Sequence, residues 1–599
     1  MGKNLSPRLM LLALLWLSIS GIILAAPKNP VVYRGNYDSI KETIVKTVQI
    51  KMAENQMIGL SLALVDGNRT VWVENFGYAD AEHKIPVTGY TIFRVGSISK
   101  LFTGTAIMQL VDKKKIEIDR PLQTYIPEFS MKTRYPEAGP ITIRSIMTHH
   151  SGIPGDWFAD DAGPNPPYFA SLVDTIKDDY TAYPPNYIYA YSNLATSLLG
   201  VTVERTSGEK FNDYMDEHIL RPLKMNHSTF EMRDDLKSFL SKGYNNGELA
   251  NEDNRRDIPA GGLYSSVNDL GNFMKMIFAG GKYKEKEILK PTTLKQMLTP
   301  QNNNIPLDLD VKIGLNWFLS DPQLDYAGQV AHHAGDLILY HSMLKILPRQ
   351  QLGVVVLTNS TSVSGNAAGG INEIATEVLK LALEVKTGIT EPSPQNDSPV
   401  PVQSFSKEQC RQLAGDYAGG SGLVSITQSD NNLEMMLNGT TFRMVPYKNG
   451  WFSIQNQVSR SSPLLKENEP ALSFMTQVIN GCKLLIAKFN GGREIFGEAV
   501  KTAPIPEVWL NRLGKYQTIG ETENSSTHYA ELKIERGFLI CITQDNTTGA
   551  LNSSVVTPLN ENELLSRGLG RNLHETLRVI RRNGAEELFY SGYHFVKVN

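Results

Sequence analysis

The stretch that decides the fold runs from Phe93 to Lys100 and reads FRVGSISK. In it, Ser97 follows Gly96 and precedes Lys100 by three positions. Apolar residues at helical spacing come next and predict a helix that extends to Asp112. Residues three apart share one face of a helix, so the hydroxyl and the amine are expected side by side. The amine can take the serine proton, and the helix N-terminus favours the negative charge that develops in acyl transfer.

The pattern Ser-x-x-Lys is weak by itself, because it also begins at Ser207, Ser342 and Ser404. Ser404 lies in a proline-rich stretch, and Ser207 lies in a polar turn. Ser342 begins a predicted strand, where positions three apart point to opposite faces. Only Ser97 combines a preceding glycine with a helical pattern, which makes it the candidate nucleophile.

Two further segments carry candidate chemistry. The first is Tyr191-Ser192-Asn193. A tyrosine acts as a base only if a nearby cation lowers its pKa of about 10, and Lys100 could supply that cation. The second is His333-Ala334-Gly335, where small residues let a strand edge approach a ligand closely. Strand alternation allows only one of His332 and His333 to face such a site.

The surrounding pattern predicts an α+β fold. Ile58–Val65 and Thr70–Phe76 read as a hairpin, and Met343–Ile346 and Leu352–Leu357 read as a second pair of strands. Asn372–Val385 reads as a closing helix. Strands at both ends with helices between them predict helices that flank an antiparallel sheet.

Taken in order, these segments resemble the class C β-lactamase, D-aminopeptidase and esterase family of penicillin-recognising serine hydrolases. Phe93–Lys100 is similar to the family's nucleophile segment, and Ile146–Gly152 to its Leu-Leu-Thr-His-x-Ser-Gly segment. Tyr191–Asn193, Pro259–Leu263 and His333–Gly335 follow in the family's order. The resemblance implies a β-lactamase/transpeptidase-like sheet flanked by helices, with an additional helical lobe and no cofactor.

The resemblance also implies a role for each site residue. Ser97 is the acylated nucleophile, and Lys100 and Tyr191 share the proton transfer. Asn193 orients the substrate amide or the lysine. His333 stands where the lactamases carry the lysine of Lys-Thr-Gly.

Histidine at that position is only partly charged near neutral pH. This weakens the case for an efficient β-lactamase and is compatible with the esterase and peptidase branches. The implied oxyanion hole consists of the backbone N–H groups of Ser97 and of Asp336, which follows Gly335. The side chain of Asp336 would disfavour anionic substrates or attract an amino group.

Other conspicuous residues receive weaker predictions. Adjacent histidines point apart and no His-Glu-x-x-His spacing occurs, so His149 and His150 predict no metal site. His149 is expected to be a structural hydrogen-bonding residue. Tyr183, Tyr187 and Tyr189 would either line a substrate groove or pack.

Composition bounds these expectations. The chain has 599 residues, more than the roughly 250–300 at which single cores stop growing, so two or more domains are expected. Lys and Arg total 59 against 62 Asp and Glu, which argues against a basic nucleic-acid binder. Three cysteines argue against a disulfide scaffold.

The N-terminus predicts export. Lys3 and Arg8 precede the apolar stretch Leu9–Ala26, as in a secretory signal peptide over residues 1–26. The rival interpretation is an uncleaved membrane anchor, because the stretch is near the length that spans a bilayer. Either way we expect a periplasmic or extracellular protein with no other membrane contact.

After the predicted hydrolase domain at 27–387, the composition changes. Residues 388–404 form a proline-rich linker, and residues 405–599 form a β-rich domain. Leu413–Tyr417 recurs as Leu513–Tyr516, which predicts a twofold β repeat or one barrel of about eight strands. This region resembles the lipocalin-like C-terminal domains of some peptidases in the family.

The cysteines Cys410, Cys482 and Cys541 all lie in this β-rich region. An oxidising compartment would permit one disulfide and one spare thiol. The alternative is three buried small hydrophobic residues.

The sequence therefore predicts an exported Ser-x-x-Lys hydrolase that forms an acyl-enzyme on an amide or ester. The candidate substrates are D-amino-acid peptides, esters and β-lactam-like molecules, with no nucleic-acid partner. The alternative is a non-catalytic protein that binds cell-wall peptide or penicillin and uses the β-rich domain for contact.

Overall fold

The computed structural model describes residues 32–362, 365–393, 400–429, 432–456, 472–489, 491–519, 529–544, 551–582 and 584–598. The predicted signal peptide at 1–26 lies outside the described residues, as does part of the linker at 388–404. Within the described ranges, no helix is both long and apolar enough to cross a bilayer. The chain forms an α+β domain, here residues 32–387, followed by two β-barrels.

A six-stranded sheet crosses the α+β domain, with every neighbouring pair antiparallel. Its spatial order is β4-β5-β6-β1-β2-β3, so the two predicted hairpins meet where β6 pairs with β1, and β4 lies at an edge. This confirms the predicted sheet. The strands are β1 (Gly59–Asp66), β2 (Arg69–Asp80), β3 (Ile85–Pro86), β4 (Ala331–Asp336), β5 (His341–Leu347) and β6 (Leu352–Thr358).

Helices cover both faces of this sheet. In β1, Leu60, Leu62 and Leu64 pack in one core with the first and last helices of the domain. Ala63 and Val65, on the opposite face, pack in a second core with the helical lobe. The helices are α1 (Asp38–Glu54), α2 (Ser99–Asp112), α3 (Ile143–Met147), α4 (Leu172–Thr175), α5 (Asn193–Ser207), α6 (Phe211–Met215), α7 (Ile258–Gly261), α8 (Val267–Phe278), α9 (Pro291–Met297), α10 (Ala367–Thr387), α11 (Lys407–Leu413) and α12 (Glu507–Leu510).

Helix α2 is the centre of the helical lobe. Every residue from Ser99 to Leu110 is buried, which is typical of a helix that is surrounded by protein on all sides. It packs against α5 and α7. The start of α2 is therefore held rigidly between the sheet and two other helices.

The C-terminal region contains two closed barrels of eight strands, so the twofold repeat describes it and a single barrel does not. The strands of the first barrel are Gly415–Gly419, Gly422–Ser429, Asn432–Leu437, Thr440–Pro446, Phe452–Asn456, Ser473–Ile479, Cys482–Phe489 and Gly492–Val500. Those of the second barrel are Gly514–Thr518, Tyr529–Glu535, Phe538–Gln544, Leu551–Pro558, Glu563–Ser566, Thr576–Arg582, Ala585–Tyr590 and Tyr593–Lys597.

The repeated sequence motif has the same structural role in both barrels. Tyr417 and Tyr516 each lie in the first strand of their barrel, and each hydroxyl donates to the carbonyl four residues earlier, at Leu413 and Arg512. A short helix precedes each motif. The cysteines of this region are free thiols, with Cys410 and Cys541 buried and Cys482 half-buried.

Candidate active site

Ser97 lies at the turn between a short strand and α2. The strand pair Phe93–Arg94 and Tyr264–Ser265 ends there, and Gly96 turns the chain with a φ of 50°, in the left-handed region that favours glycine. The predicted helix differs slightly at its start, because Gly96–Ile98 forms a 3₁₀ turn and α2 begins at Ser99. Ser97 still occupies the end of the helix where N–H groups have no intrahelical acceptor.

Lys100 is fully buried, and its Nζ lies 3.0 Å from Ser97 Oγ. Nζ also donates to Asn193 Oδ1 at 2.7 Å and to the Ala260 carbonyl at 2.8 Å. Burial, and then the charge of Arg571, lowers the pKa of Lys100 well below its usual value. A neutral amine has two hydrogens and one lone pair. The amide and the carbonyl take the two hydrogens, so the lone pair is left for the serine hydroxyl.

Asn193, the first residue of α5, presents its oxygen to the lysine because of Asp156. Its Nδ2 donates to Asp156 Oδ1 at 2.8 Å, and an ionised carboxylate can only accept. The other oxygen of Asp156 accepts from Arg571, at 3.2 Å from Nε and 2.7 Å from Nη2. Arg571 belongs to the second barrel, so the barrel reaches the site.

Tyr191 lies beside this pair, with its ring centroid 4.8 Å from Lys100 Nζ. Burial raises the pKa of Tyr191 above its usual value, while a hydrogen bond to Ser97 and the charge of Arg571 act in the opposite direction. A net rise is the reverse of what a tyrosine base requires. Burial therefore favours the protonated phenol of Tyr191, whereas the lowered pKa of Lys100 favours its neutral amine.

The two adjacent histidines point to different partners. His149 has a φ of 60°, and its Nδ1 accepts from the Ser192 N–H at 3.2 Å while its ring lies 4.2 Å from the Tyr191 ring. His150 Nε2 lies 2.8 Å from Asp308 Oδ2. His149 is buried, and its hydrogen bond and ring contact hold the segment that carries Tyr191.

His333, rather than His332, faces the site. Its Nδ1 lies 2.6 Å from the Ala334 carbonyl and so carries the proton, and its ring lies 6.2 Å from the Tyr191 ring. Burial, then the charge of Lys100, lowers the pKa of His333 to about 3. The imidazole is neutral, so the position occupied by lysine in the lactamases carries no charge here. His332 instead contacts the Ser320 carbonyl.

The edge strand β4 supplies the second candidate N–H of the oxyanion hole. Leu337 N donates to the Tyr340 carbonyl, and because hydrogen-bonding directions alternate along a strand, the Asp336 N–H points away from β5. It faces the turn before the nucleophile, since a Cβ on Gly96 would lie 3.1 Å from Asp336 N. A Cβ on Gly335 would lie 2.0 Å from the Val95 carbonyl oxygen, so only glycine permits this approach.

The side chain of Asp336 turns outward. Its carboxylate is 56% exposed and lies 2.9 Å from His341 Nδ1. The acidic group is therefore paired at the rim of the site.

The tyrosines that precede Tyr191 pack against the barrels. The Tyr183 hydroxyl donates to the Gly570 carbonyl at 3.0 Å, in the second barrel. The Tyr187 hydroxyl lies 3.8 Å from Cys482 Sγ, in the first barrel. For these two residues, packing rather than groove lining is the structural role.

Three site residues were missed by the sequence reasoning. Ala260 lies in the Pro259–Leu263 segment. The family resemblance includes this segment but implies no role for the Ala260 carbonyl. Asp156 lies in an irregular segment after the His149-His150 motif, where nothing in the sequence distinguishes it. Arg571 lies in the β-rich region, which carries no catalytic motif.

The β-lactamase family model matches residues 44–375, more than half of the chain. The chain is similar to Protein flp of Staphylococcus aureus (strain MW2), with 24% identity over 332 residues, which cover 54% of this chain and 64% of that protein. This match spans less than two thirds of the relative's length. Beta-lactamase-like protein 2 of Dictyostelium discoideum is 26% identical over 420 residues, covering 66% of this chain and 74% of that protein.

Solved structures share the fold over a longer part of the chain. The octameric penicillin-binding protein homologue from Pyrococcus abyssi has a TM-score of 0.51 at 21% identity and covers 86% of this chain and 99% of its own. SurE, solved with D-Leu, has a TM-score of 0.54 at 18% identity and covers 77% of this chain and 100% of its own. At these identities the likeness is one of fold.

Proposed function

Because the chain belongs to the β-lactamase family, we propose that it is a serine hydrolase in which Ser97 forms an acyl-enzyme with an amide or ester substrate. The single observation that carries the proposal is the environment of Lys100. Its Nζ is buried, 3.0 Å from Ser97 Oγ, and its two other hydrogen-bonding directions end on fixed acceptors.

Acylation begins when the neutral Lys100 accepts the proton of the Ser97 hydroxyl, and Ser97 Oγ attacks the substrate carbonyl carbon. The carbonyl oxygen becomes an oxyanion between the N–H groups of Ser97 and Asp336. The Tyr191 hydroxyl is protonated at this point and lies beside Ser97 and Lys100. It donates a proton to the leaving amine or alkoxide and is reprotonated from Lys100, so charge is balanced when the carbonyl–leaving group bond breaks.

Deacylation repeats these steps with water as the nucleophile. Lys100 accepts a proton from the water, the water oxygen attacks the acyl carbonyl, and Ser97 Oγ leaves with a proton. The same two N–H groups stabilise the second oxyanion. Ser97 is restored and a carboxylic acid is released.

The proposed substrates are D-amino-acid peptides or short esters, with β-lactams as weaker ones. His333 is neutral, so it cannot attract the carboxylate that a lysine would attract at that position. A fold relative was solved with D-Leu, which makes D-leucine amides a reasonable first member of a substrate panel. The proposed place of action is outside the cytoplasm, on the basis of the predicted signal at residues 1–26.

The test is active-site labelling followed by peptide mapping. A fluorophosphonate or a fluorescent penicillin should form an adduct at Ser97. The Ser97→Ala variant should lose the adduct and about 10⁴-fold or more of its turnover on the best substrate in a panel of D-amino-acid amides, esters and β-lactams.

Ser207→Ala is the matched control, because Ser207 begins another Ser-x-x-Lys pattern and its hydroxyl accepts from the Glu209 N–H in a turn away from the candidate site. It should behave as the wild type. If neither probe labels Ser97 and Ser97→Ala retains full activity, the proposal is wrong. If the wild type instead binds the ligands intact and turns none of them over, the non-catalytic alternative is favoured.

A further inference from the structure

A continuous series of polar contacts leads from the second barrel to the nucleophile. The Arg571 guanidinium holds Asp156 Oδ2, and Asp156 Oδ1 accepts from Asn193 Nδ2. Asn193 Oδ1 accepts from Lys100 Nζ, which lies 3.0 Å from Ser97 Oγ. Each of these steps is between 2.7 and 3.0 Å. Arg571 and Asp156 are 415 positions apart in the sequence.

The backbone around Asp156 is also fastened to the second barrel. Glu575 Oε1 accepts from the Gly155 N–H at 3.0 Å, and the Gly155 carbonyl accepts from the Asn193 N–H at 2.8 Å. Ser591 Oγ accepts from the Phe158 N–H at 3.1 Å and donates to the Asp156 carbonyl at 3.0 Å. The segment 155–159 is therefore oriented by the barrel at both its main chain and its carboxylate.

The charges around Lys100 come from several elements. Arg571 on the second barrel adds a positive charge, and the carboxylates Asp156 and Asp257 oppose it. His149 and His333 are neutral because burial lowers both of their pKa values, and Tyr191 is protonated. Arg571 is consequently the fixed cation that faces the lysine, and its presence favours the neutral amine.

We propose that Arg571 is a positioning residue for the catalytic lysine, so that the second barrel is a functional part of the active site. This inference rests on the proposed acyl-enzyme function. Without Arg571, Asp156 would be free to turn, and the Asn193 amide would lose the acceptor that fixes its orientation. Lys100 would then face an uncompensated carboxylate and an unfixed amide.

The sign of the pH effect follows from the charges. Removal of the Arg571 cation raises the pKa of Lys100, so a higher pH is needed to obtain the neutral amine. Removal of the Asp156 carboxylate has the opposite effect. The acidic limb of kcat/KM against pH reports this ionisation in the free enzyme.

The experiment compares Arg571→Gln, Arg571→Lys and Asp156→Asn in the full-length protein. Arg571→Gln should lower kcat by roughly 10–100-fold with little change in KM, and should move the acidic limb up by about one pH unit. Asp156→Asn should move the limb down. Arg571→Lys should recover part of kcat and keep the limb near its wild-type position, because it keeps a cation beside Asp156 but cannot reproduce both guanidinium contacts.

Arg581→Gln is the matched control, since Arg581 lies on the same barrel, is 79% exposed and pairs with Glu586 at 3.3 Å. It should leave kcat and the pH profile unchanged. Fluorophosphonate labelling of the wild type at Ser97 tests the proposed function separately. With labelling intact, an Arg571→Gln profile that superimposes on the wild type overturns the inference. A rise in KM confined to carboxylate-bearing substrates, with an unmoved limb, would also overturn it and make Arg571 a substrate-binding group.

Discussion

The two barrels contact the α+β domain at different places through glycines that occupy equivalent positions. Each glycine has a positive φ and lies between the seventh and eighth strands of its barrel, Gly491 in the first barrel and Gly592 in the second. A Cβ on Gly491 would lie 2.9 Å from Pro322 Cβ. A Cβ on Gly592 would lie 2.4 Å from Trp157 Nε1.

The two barrels differ in whether their contact with the α+β domain is connected to Lys100. Close to Gly491, the first barrel forms an ion pair between Arg493 and Asp310, whose side chains are 38% and 40% exposed. In the second barrel, Ser591 directly precedes Gly592 and accepts from and donates to the main chain around Asp156, whose carboxylate is linked to Lys100 through Asn193. The second barrel reaches Lys100 through a series of hydrogen bonds, whereas the first barrel contacts the α+β domain through the Arg493–Asp310 ion pair and through apolar packing against the segment before Tyr191. Position on the catalytic domain, rather than fold, separates the two.

The largest effect in this comparison is expected from the paired variants Gly592→Ala and Gly491→Ala. Both place an alanine in the left-handed region, at a similar backbone cost of about 1–2 kcal/mol. Gly592→Ala also pushes the barrel away from Trp157 and therefore displaces the segment that carries Asp156. It should lower kcat roughly 10–100-fold, whereas Gly491→Ala should change it less than about twofold. Steady-state kinetics on one ester substrate measures both.

Equal losses in the two variants would contradict the distinction between the barrels. The thermal unfolding midpoints provide the control. Gly592→Ala should be the less stable variant because its Cβ meets closer neighbours, so kcat is compared at a temperature where both variants are folded. A Gly592→Ala protein with wild-type kcat would show that segment 155–159 keeps its position without the barrel turn.

A smaller, pH-dependent effect is expected at Glu575. Burial raises the pKa of Glu575 to about 7, although its carboxyl accepts from the Gly155 N–H and the Tyr590 hydroxyl. A folded-state pKa above the unfolded value means that the stabilising contribution is complete below about pH 4.5. It is lost as the pH rises through 7. The folded state should therefore lose stability in mildly alkaline solution, because burial disfavours the ionised carboxylate of Glu575.

The Glu575→Gln variant should lack this dependence. Between pH 5 and pH 8, the unfolding free energy of the wild type should fall relative to that of the variant by up to about 3 kcal/mol. Denaturation followed by tryptophan fluorescence at the two pH values measures this difference. Glu535→Gln, at an exposed ion pair with Lys533 on the same barrel, should show a constant difference from the wild type. A constant difference for Glu575→Gln as well would rule out the buried carboxyl as the cause.

Much of the α+β domain could be predicted because its signals are local. The apolar run around Leu60–Val65 alternates between two cores, and the helix after Ser97 is apolar on all sides because it is enclosed. The repeated tyrosine motif predicted either two similar β units or one barrel, and the structure has two barrels. The start of the helix differs from the sequence prediction, since Gly96–Ile98 forms a 3₁₀ turn where β4 approaches closely.

The candidate site could be predicted only in part, for a physical reason. Ser97 and Lys100 are neighbours on one helix, so their proximity follows from sequence spacing. The link from Asp156 to Arg571 joins residues from separate domains, and no local pattern in either segment favours a charged pair. The protonation states were also beyond the sequence. Desolvation of Tyr191 raises its pKa, and this depends on packing by residues from several elements.

The smallest effect is expected where the first barrel meets the α+β domain. Asp310 accepts from the Arg493 backbone N–H at 2.9 Å and pairs with the Arg493 guanidinium. Both side chains are more than one third exposed, so solvent screens the pair and its contribution should be about 1 kcal/mol or less. Asp310→Asn keeps the acceptor for the backbone N–H, and should lower the unfolding midpoint by about 2 °C or less in low salt and by less in high salt. Its kcat and its pH profile should equal those of the wild type. If Asp310→Asn instead reproduced the pH shift of Arg571→Gln, both barrels would communicate with Lys100, and the distinction drawn between them would fail.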